Sequence, residues 1–301
     1  MFFFTYFFVE NEYLCLQYHL SKILLMKTFK LLSALIALLL TATGCVQKKE
    51  APKALVLYYS QTSNTKTVAQ EMATKLGADQ EEIELVNPYD GDFNATIARC
   101  MQEREAGTLP ELKPLKSDLS KYDIIFLGYP IWFGTYAPPI AALLEQIDLS
   151  GKKVVPFCTF GSGGLESSAK DLAAKEPKAE VLPGYGVRTA RVSAAPQEID
   201  YFLKSGGWIE GTVTPLADFS EAHAVSEDES AIFDAAVGDY AMLHAKAKTV
   251  AVRSIPGGME YLFGAEDLPR EGMEPTTPPA ELLVYVTVLD GATPEFTKVV
   301  R

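Results

Sequence analysis

The chain has 301 residues, 48% of them hydrophobic, and its formal net charge at pH 7 is −12. A chain of this length and apolar content can bury more than one core, so we expect more than one domain. Because acidic residues outnumber basic ones and no basic cluster follows residue 50, the composition argues against nucleic acid as a partner.

Residues 1–51 are predicted to be a leader rather than part of the fold. Met26 is followed by two lysines, an apolar run through Leu40 and small residues up to Cys45, which is the layout of a secretory signal. The segment resembles a bacterial lipoprotein signal. That resemblance implies that Cys45 carries lipid, begins the mature chain and anchors it to a membrane of the bacterial envelope, with residues 46–51 as a tether.

The alternative for this leader is an ordinary signal, or a membrane anchor, with a chance cysteine. A spanning helix is disfavoured because the uninterrupted apolar stretch is shorter than the ~20 residues that cross a bilayer. Residues 1–25 put acidic and aromatic side chains where a signal is normally basic, so Met26 is the more natural start.

Residues 52–211 alternate between strand and helix patterns. Apolar runs predict strands at 54–59, 83–86, 123–129, 153–160 and 179–187. Amphipathic runs predict helices at 67–77, 137–147, 165–175 and 196–205. Apolar strands separated by such helices predict an α/β fold, a doubly wound five-stranded parallel sheet covered on both faces.

Residues 212–301 follow a different pattern. Ser226 and Glu229 form a predicted capping box at the start of a short helix. Strand-like runs follow at 248–255, 259–265, 282–289 and 295–300, which predicts a small α+β domain with an antiparallel sheet. This domain weakly resembles a cystatin-like module. Its turn at 254–257 departs from the inhibitory motif of that family, so docking or homodimer formation is favoured over protease inhibition.

The loop after the first strand carries the sharpest chemical signal. Hydroxyl and amide side chains stand there in a turn that opens a helix: Ser60, Thr62, Ser63, Asn64 and Thr65. Their donors, the successive main-chain N–H groups and the positive end of the helix dipole suit a terminal phosphate. The alternative is a cluster of N-cap residues, which is common at helix starts.

A second loop follows the third strand, at the edge where open α/β folds bind ligands. It carries an aromatic pair between a proline and a glycine: Pro130, Ile131, Trp132, Phe133 and Gly134. The two aromatic rings predict stacking on a planar heterocycle. Packing into the core is the alternative.

A third loop, rich in glycine, follows the next strand and opens another helix. Gly161, Gly163 and Gly164 would let the backbone approach a flat ligand. Cys158, at the strand end before this loop, is either a redox thiol beside the ligand or a small buried side chain. Because a parallel sheet brings its strand ends together, three ligand-type loops are stronger evidence than any one of them.

Three segments resemble the flavodoxin-like family: YYSQTSNTKTVA, YDIIFLGYPIWFGTYAPPI and GKKVVPFCTFGSGG. The resemblance covers about residues 52–211 and implies FMN, with its phosphate in the first loop and its ring against the second. It places a further set of residues along the other edge of the ring: Thr159, Phe160, Gly161, Ser162 and Gly163. One departure is Ser63, where the family usually has glycine. Because FMN is a dianion and this chain is acidic, main-chain N–H groups must do much of the binding.

The resemblance implies an FMN-binding protein that carries electrons on its flavin at the outer side of a membrane. Its partner would be a redox protein or a small-molecule electron acceptor. An FMN-dependent quinone or nitro-compound reductase is the first alternative. A binding or scaffold lipoprotein that has lost the cofactor is the second, since a fold does not fix a function. The sequence shows no metal-ligand spacing, and no residue is predicted to be catalytic.

Overall fold

The computed structural model describes residues 52–238, 240–269 and 280–301. The predictions for the leader, the start at Met26 and the lipid on Cys45 therefore lie outside the described residues. Pro52–Arg301 forms one compact unit. Within the part of the chain described here, no helix is both long enough and apolar enough to cross a bilayer.

A parallel sheet forms the first half of this unit and confirms the predicted α/β fold. Its strands are β1 (Ala54–Tyr58), β2 (Asp79–Glu82), β3 (Ile124–Trp132), β5 (Lys153–Phe160), β6 (Glu180–Val181) and β7 (Tyr185–Arg188). Their order is β2-β1-β3-β5, followed by β6 and β7, which both pair with β5. A short strand, β4 (Thr135–Tyr136), pairs antiparallel with the end of β3. This is the flavodoxin-like doubly wound order, with its fifth position shared by two short strands.

Helices cover both faces of the parallel sheet. They are α1 (Asn64–Leu76), α2 (Phe93–Ala106), α3 (Pro138–Leu144), α4 (Leu165–Lys175) and α5 (Ala195–Ser205), with 3-10 turns at Leu119–Lys121 and Thr189–Ala194. On one face α1 and α5 bury residues such as Val68 and Ile199. On the other, α2, α3 and α4 bury Cys100, Ile140 and Leu172. The sheet therefore lies between two apolar layers, as a parallel sheet requires.

Two strands differ from their predicted positions. The second strand is predicted at residues 83–86, yet Asp79–Glu82 pairs with β1. This strand lies at the sheet edge, where polar side chains are tolerated, while Ile83 and Leu85 are buried just after it. The fifth strand is predicted as one run at 179–187, but it is interrupted at Gly184. A Cβ atom there would lie 2.2 Å from the Pro156 carbonyl oxygen, so only glycine allows the close approach.

The second half of the unit is an antiparallel sheet with one helix, as predicted. Its elements are β8 (His223–Ala224), α6 (Glu227–Val237), β9 (Ala245–Ile255), β10 (Gly258–Asp267), β11 (Glu281–Leu289) and β12 (Glu295–Val300). The strand order is β12-β11-β10-β9-β8. Both hydrogen bonds of the predicted capping box, between Ser226 and Glu229, are present. Phe233 of α6 packs on Phe263 of the sheet, with 5.1 Å between ring centroids. The likeness to cystatins stays a prediction.

The start of α1 stores backbone strain at one residue. Ser63, its N-cap, has φ of 64°, and its side chain makes no capping hydrogen bond. A left-handed conformation costs a non-glycine residue about 1–2 kcal/mol, and glycine removes this cost. Part of the gain is offset because glycine loses more conformational entropy on folding. We therefore expect Ser63→Gly to raise the free energy of unfolding by about 1 kcal/mol in urea denaturation.

Ser60→Gly is the matched control for that variant. Ser60 Oγ accepts a hydrogen bond from the Lys66 main-chain N–H at 3.1 Å, so its loss should lower the free energy of unfolding by about 1 kcal/mol. A Ser63→Gly protein less stable than the parent would show that the loop is not strained at this position.

Candidate functional site

The three predicted loops follow β1, β3 and β5 at the carboxyl edge of the parallel sheet. The chain leaves β1 towards one side of the sheet and β3 towards the other, so a crevice opens between their ends. A cavity of about 790 Å³ occupies this edge, lined by loops that follow β1, β3 and β5. Its volume is in the range of small-molecule and cofactor sites.

The first loop offers main-chain donors rather than cations. Within the described residues, the N–H groups from Thr62 to Thr65 have no hydrogen-bond acceptor. They are successive groups at the N-terminus of α1, where the helix dipole favours negative charge. The nearby Lys66 ammonium is paired with Glu82 at 2.7 Å. An anion at this loop would therefore be held by the backbone.

The polar side chains of this loop mostly bond within the chain. Asn64 donates from Nδ2 to Thr62 Oγ1 at 3.0 Å. The buried hydroxyls of Thr65 and Thr159 share a hydrogen bond of 2.8 Å, which ties the first loop to the end of β5. Thr65 and Thr159 thus position the two loops and do not line the cavity.

The second loop is a two-residue hairpin between β3 and β4. Trp132 pairs with Thr135, and the two residues between them, Phe133 and Gly134, have φ of 51° and 84°. Two successive positive φ values are the signature of the type I′ turn, which joins tightly paired strands. Phe133 stands at the tip with 60% of its surface exposed, on the rim of the cavity. A bulky residue held in this conformation with an exposed ring is a feature of ligand clamps.

Trp132 is fixed by two tyrosines. Its ring meets Tyr89 edge-on at 5.3 Å and Tyr59 edge-on at 6.1 Å between centroids. Burial raises the pKa of both tyrosine hydroxyls, so both stay neutral at physiological pH. The Tyr59 hydroxyl donates to Gln61 Oε1 at 2.6 Å. The two tyrosines thus fix the position of the indole, which also lines the cavity.

Glu103 of α2 belongs to the same support. Its carboxylate accepts from the Tyr89 hydroxyl at 2.7 Å and from Arg99 Nε at 2.8 Å. The Arg99 guanidinium lies 4.2 Å from the centre of the Tyr89 ring. This arrangement connects α2 to the tyrosine that contacts Trp132.

Two glycines of the third loop lie close to another part of the chain, and their approach to a flat ligand stays a prediction. A Cβ atom on Gly161 would lie 2.9 Å from the Tyr240 hydroxyl, and one on Gly163 would lie 2.2 Å from the Val299 carbonyl oxygen. Both contacted residues belong to the second half of the unit. The glycines are required because that half packs directly against the loop.

Cys158 is a small buried side chain rather than a redox thiol. It is fully buried, and burial raises the pKa of its thiol well above the usual value. A neutral, inaccessible thiol is a poor nucleophile and a poor redox group. Phe160, at the end of the same strand, also has its side chain in the core.

The cavity brings together residues of all three predicted loops. The predicted residues that line it are Thr62, Pro130, Ile131, Trp132, Phe133, Gly134, Gly161, Ser162 and Gly163. Those outside its lining are Ser60, Ser63, Asn64, Thr65, Thr159 and Phe160. Of these, Thr65, Thr159 and Phe160 are buried. Ser60 and Ser63 belong to the turn before α1, and Asn64 is the first residue of that helix.

Several lining residues were not predicted from the sequence, and most of them belong to two groups. One lies at the start of α2 and includes Phe93, Thr96 and Ile97. Its signal was present, because Asp92 caps this helix and Gly107 ends it with a left-handed conformation. The second group comes from the end of the chain: Tyr240, Met242, Val299, Val300 and Arg301. These residues lie far from the loops in sequence and show no local signal.

A second cavity of about 880 Å³ lies beside the first. Cys100, Trp132 and Phe133 line both, so the hairpin after β3 is a wall between them. The remainder of the second cavity is formed by the end of α2 and the start of α3. Among the residues with described positions, no group of His, Cys, Asp or Glu side chains could hold a metal ion.

Comparisons with known proteins cover the parallel-sheet half of the unit. A protein from Bacteroides eggerthii DSM 20697, provisionally assigned as a flavoprotein, is 29% identical over 50% of this chain and 99% of its own, with a TM-score of 0.42. Another from Bacteroides uniformis ATCC 8492, with the same provisional assignment, is 28% identical over 50% and 99%, with a TM-score of 0.45. A flavoprotein from Lactobacillus acidophilus NCFM, solved in complex with FMN, is 24% identical over 48% and 98%, with a TM-score of 0.42.

No curated protein matches the chain. Residues 53–195, however, match the family model described as Flavodoxin. That range contains β1 to β7 and the three loops at the carboxyl edge. The parallel-sheet half of the chain is therefore similar to the flavodoxin family.

Proposed function

We propose that this chain binds FMN at the carboxyl edge of its parallel sheet and transfers electrons through it. The observation that carries the proposal is the row of unpaired main-chain N–H groups from Thr62 to Thr65, beside a cavity walled by Trp132 and Phe133. The N–H groups suit a phosphate, and the aromatic wall suits a planar ring. The complex of the Lactobacillus acidophilus flavoprotein with FMN supports the same ligand.

The residues present fit both ends of FMN. The donor set at the start of α1 consists of successive uncharged groups in one turn, which suits a phosphate dianion in an acidic chain. Ser63 takes the left-handed conformation that makes such a turn possible, although it is not glycine. At the other end, the cavity is bounded by the aromatic hairpin and by the glycine-rich loop after β5.

Bound FMN would supply the redox chemistry, and the protein would supply position and environment. The N–H groups of the first loop would hold the phosphate and fix the register of the ligand. Trp132, held by Tyr59 and Tyr89, would offer a rigid aromatic wall that excludes water from one side. Unpaired donors and a formed cavity argue against a scaffold protein that has lost its cofactor.

The phosphate should decide the affinity. With at least two charge-assisted hydrogen bonds of about 1.5 kcal/mol each, FMN should bind about 100-fold more tightly than riboflavin. The measurement is a fluorescence titration of the purified protein with each flavin. Equal affinities would contradict a phosphate site in the first loop.

The two tryptophans provide a matched control for the ring position. The chain contains only Trp132 and Trp208, and Trp208 packs edge-on against Phe126 under the sheet. In a Trp208→Phe protein, FMN should quench most of the tryptophan emission, because Trp132 would line the flavin site. In a Trp132→Phe protein the quenching should be several-fold weaker. Weaker quenching in the Trp208→Phe protein than in the Trp132→Phe protein would place the flavin ring elsewhere.

We further propose that the protein is exported and anchored to a membrane through Cys45, where it meets its redox partner. The support is the order of the leader, with lysines, an apolar run and small residues before the cysteine. Lipid chains would hold the folded unit near the bilayer by a short tether. A homodimer formed through the antiparallel sheet remains a prediction.

Cys45→Ser should move the protein from the membrane fraction to the soluble fraction of a bacterial host. The reason is that lipid can be attached only to the thiol, and stable anchoring requires acyl chains. Cys100→Ser is the control, since that thiol is buried in the core and should not affect fractionation. An unchanged distribution of the Cys45 variant would rule out the lipid anchor.

A further inference from the structure

Tyr240, Met242 and the last residues of β12 form one wall of the proposed flavin cavity. They belong to the antiparallel half, and the family match, which ends at residue 195, does not include them. This wall lies against the glycine-rich loop after β5, which lines the same cavity from Gly161 to Gly164. What the loop can offer a ligand thus depends on its contacts with the wall.

Two successive carbonyl groups of this loop are bound by the rest of the chain. The Gly161 carbonyl oxygen accepts a hydrogen bond from Arg188 Nε at 2.7 Å. The Ser162 carbonyl oxygen accepts one from the Val299 N–H of β12 at 2.6 Å. Arg188, the last residue of β7, also donates from Nη1 to the Phe296 carbonyl oxygen of β12 at 2.9 Å. Both carbonyl groups are therefore fixed by the docking of β12 on the parallel-sheet half.

The bound carbonyl groups set the direction of the next two N–H groups. A peptide bond is planar and trans, so the N–H of each residue points opposite to the carbonyl of the residue before it. The Ser162 and Gly163 N–H groups therefore point away from Arg188 and Val299. Within the part of the chain that the structure describes, neither group has a hydrogen-bond acceptor. Successive N–H groups of this kind are a binding site for an electron-rich atom.

Aromatic rings hold the Arg188 guanidinium in place. It lies 4.2 Å from the centre of the Phe296 ring and 4.9 Å from that of the Tyr240 ring. Cation–π contacts are stronger when the cation is partly removed from water, and Arg188 is half-buried. This side chain therefore binds the loop and the wall at the same time.

Two ion pairs also join β12 to the parallel-sheet half. Glu295 lies 2.8 Å from Arg191, whose side chain is buried. Lys298 lies 2.7 Å from Glu166 of α4. Burial alone would raise the pKa of Glu166, but the hydrogen bond and the charge of Lys298 leave that pKa lowered, so the pair is charged at neutral pH. These pairs keep β12 beside the loop.

A flavin ring has acceptors that match the two N–H groups. One end of the ring carries carbonyl oxygens and a ring nitrogen, and reduction increases the electron density there. Hydrogen bonds from fixed donors become stronger as their acceptor gains negative charge. Donors at this end would therefore bind reduced flavin more tightly than oxidised flavin, and that difference raises the reduction potential.

We propose that the antiparallel half directs the Ser162 and Gly163 N–H groups towards the flavin ring, with Arg188 and Val299 as the positioning residues. The inference rests on the proposed function and states how the flavin of that same site is tuned. Arg188 and Val299 act through the loop carbonyls that they bind. Release of β12 from the loop would free these carbonyls and lower the reduction potential.

The test is the reduction potential of FMN bound to the full chain, measured without oxygen against a reference dye. Arg188→Ala removes the bond to the Gly161 carbonyl oxygen. It should weaken the binding of reduced FMN about tenfold more than that of oxidised FMN, which lowers the potential of a two-electron couple by about 30 mV. An unchanged potential would overturn the inference.

Arg188→Ala also removes a positive charge, so two variants that keep the charge are needed. Val299 uses its N–H outside the ladder of the edge strand β12, a position where proline is tolerated, and Val299→Pro should lower the potential as well. Arg188→Lys, which loses the fork of donors, should lie between the parent and Arg188→Ala. A fall in Arg188→Ala alone would be an effect of charge and would contradict the proposal.

Arg253→Ala is the matched control for the loss of an arginine. Arg253 pairs with Glu260 within the antiparallel sheet, so the potential should stay at the parent value. Affinities for oxidised flavins give a second readout. In Arg188→Ala, FMN and riboflavin should lose affinity by the same factor of about five, because the loop would meet the ring and not the phosphate. A loss for FMN alone would place the effect at the phosphate and sink the proposal.

A measurement without flavin separates this inference from the proposed function. Hydrogen exchange of the Val299 amide reports its bond to Ser162 and should become at least tenfold faster in Arg188→Ala but not in Arg253→Ala. Free exchange in the parent protein would show that the loop is not held. If FMN binds but its potential is the same in all variants, the proposed function stands and this inference fails. If no flavin binds although Val299 is protected, the proposed function fails and the inference with it.

Discussion

Parallel pairing of β1, β3 and β5 places three chain segments at one edge, and the rest of the site depends on that constraint. Leu55 faces Ile125 and Ile125 faces Val154, so the three strands run in register. Their carboxyl ends therefore lie at one edge, where the following loops meet, although β3 continues to Trp132, past Gly128, the partner of the last residue of β1. The wall formed by β12 uses the same edge, because Arg188 pairs with Phe160 at the end of β5.

The charge of the chain explains why this edge relies on backbone groups. With a net charge of −12, a cluster of lysines for a phosphate would compete with many carboxylates. Lys66 illustrates the point, since it lies at the start of α1 but is bound to Glu82. The unpaired N–H groups of the first loop cannot be neutralised in this way. They remain available to an anion because no group of the described chain accepts their hydrogen bonds.

Much of the fold could be predicted from the sequence, because its signals are local. The helix at Leu165–Lys175 and the strands at Lys153–Phe160 and Glu295–Val300 have the predicted bounds, since apolar periodicity and turn residues mark both ends. The second strand was misplaced because it is a polar edge strand, and the adjacent buried residues gave a stronger apolar signal. Hydrophobicity alone does not distinguish a strand from the buried segment that follows it.

The candidate site could be predicted only in part. Loops after strands β1 and β3 carry residue types whose chemistry is visible in the sequence. The glycines after β5 were assigned to a ligand, although Gly163 is needed by the approach of Val299. That contact, like the bond from Arg188 to Phe296 across 108 residues, depends on how two sheets pack. No periodicity or motif encodes this packing, so the side of the cavity formed by the end of the chain could not be predicted from the sequence.

The most direct test of this account is a map of the amide chemical shifts of the isotope-labelled chain with and without FMN. We expect the largest changes at the amides of Thr62 to Thr65, where the phosphate would accept their hydrogen bonds. We also expect changes at Gly161, Ser162 and the last residues of β12, which would border the ring. Shifts confined to other surfaces, or absent from both the first loop and β12, would contradict a flavin site shared by the two sheets.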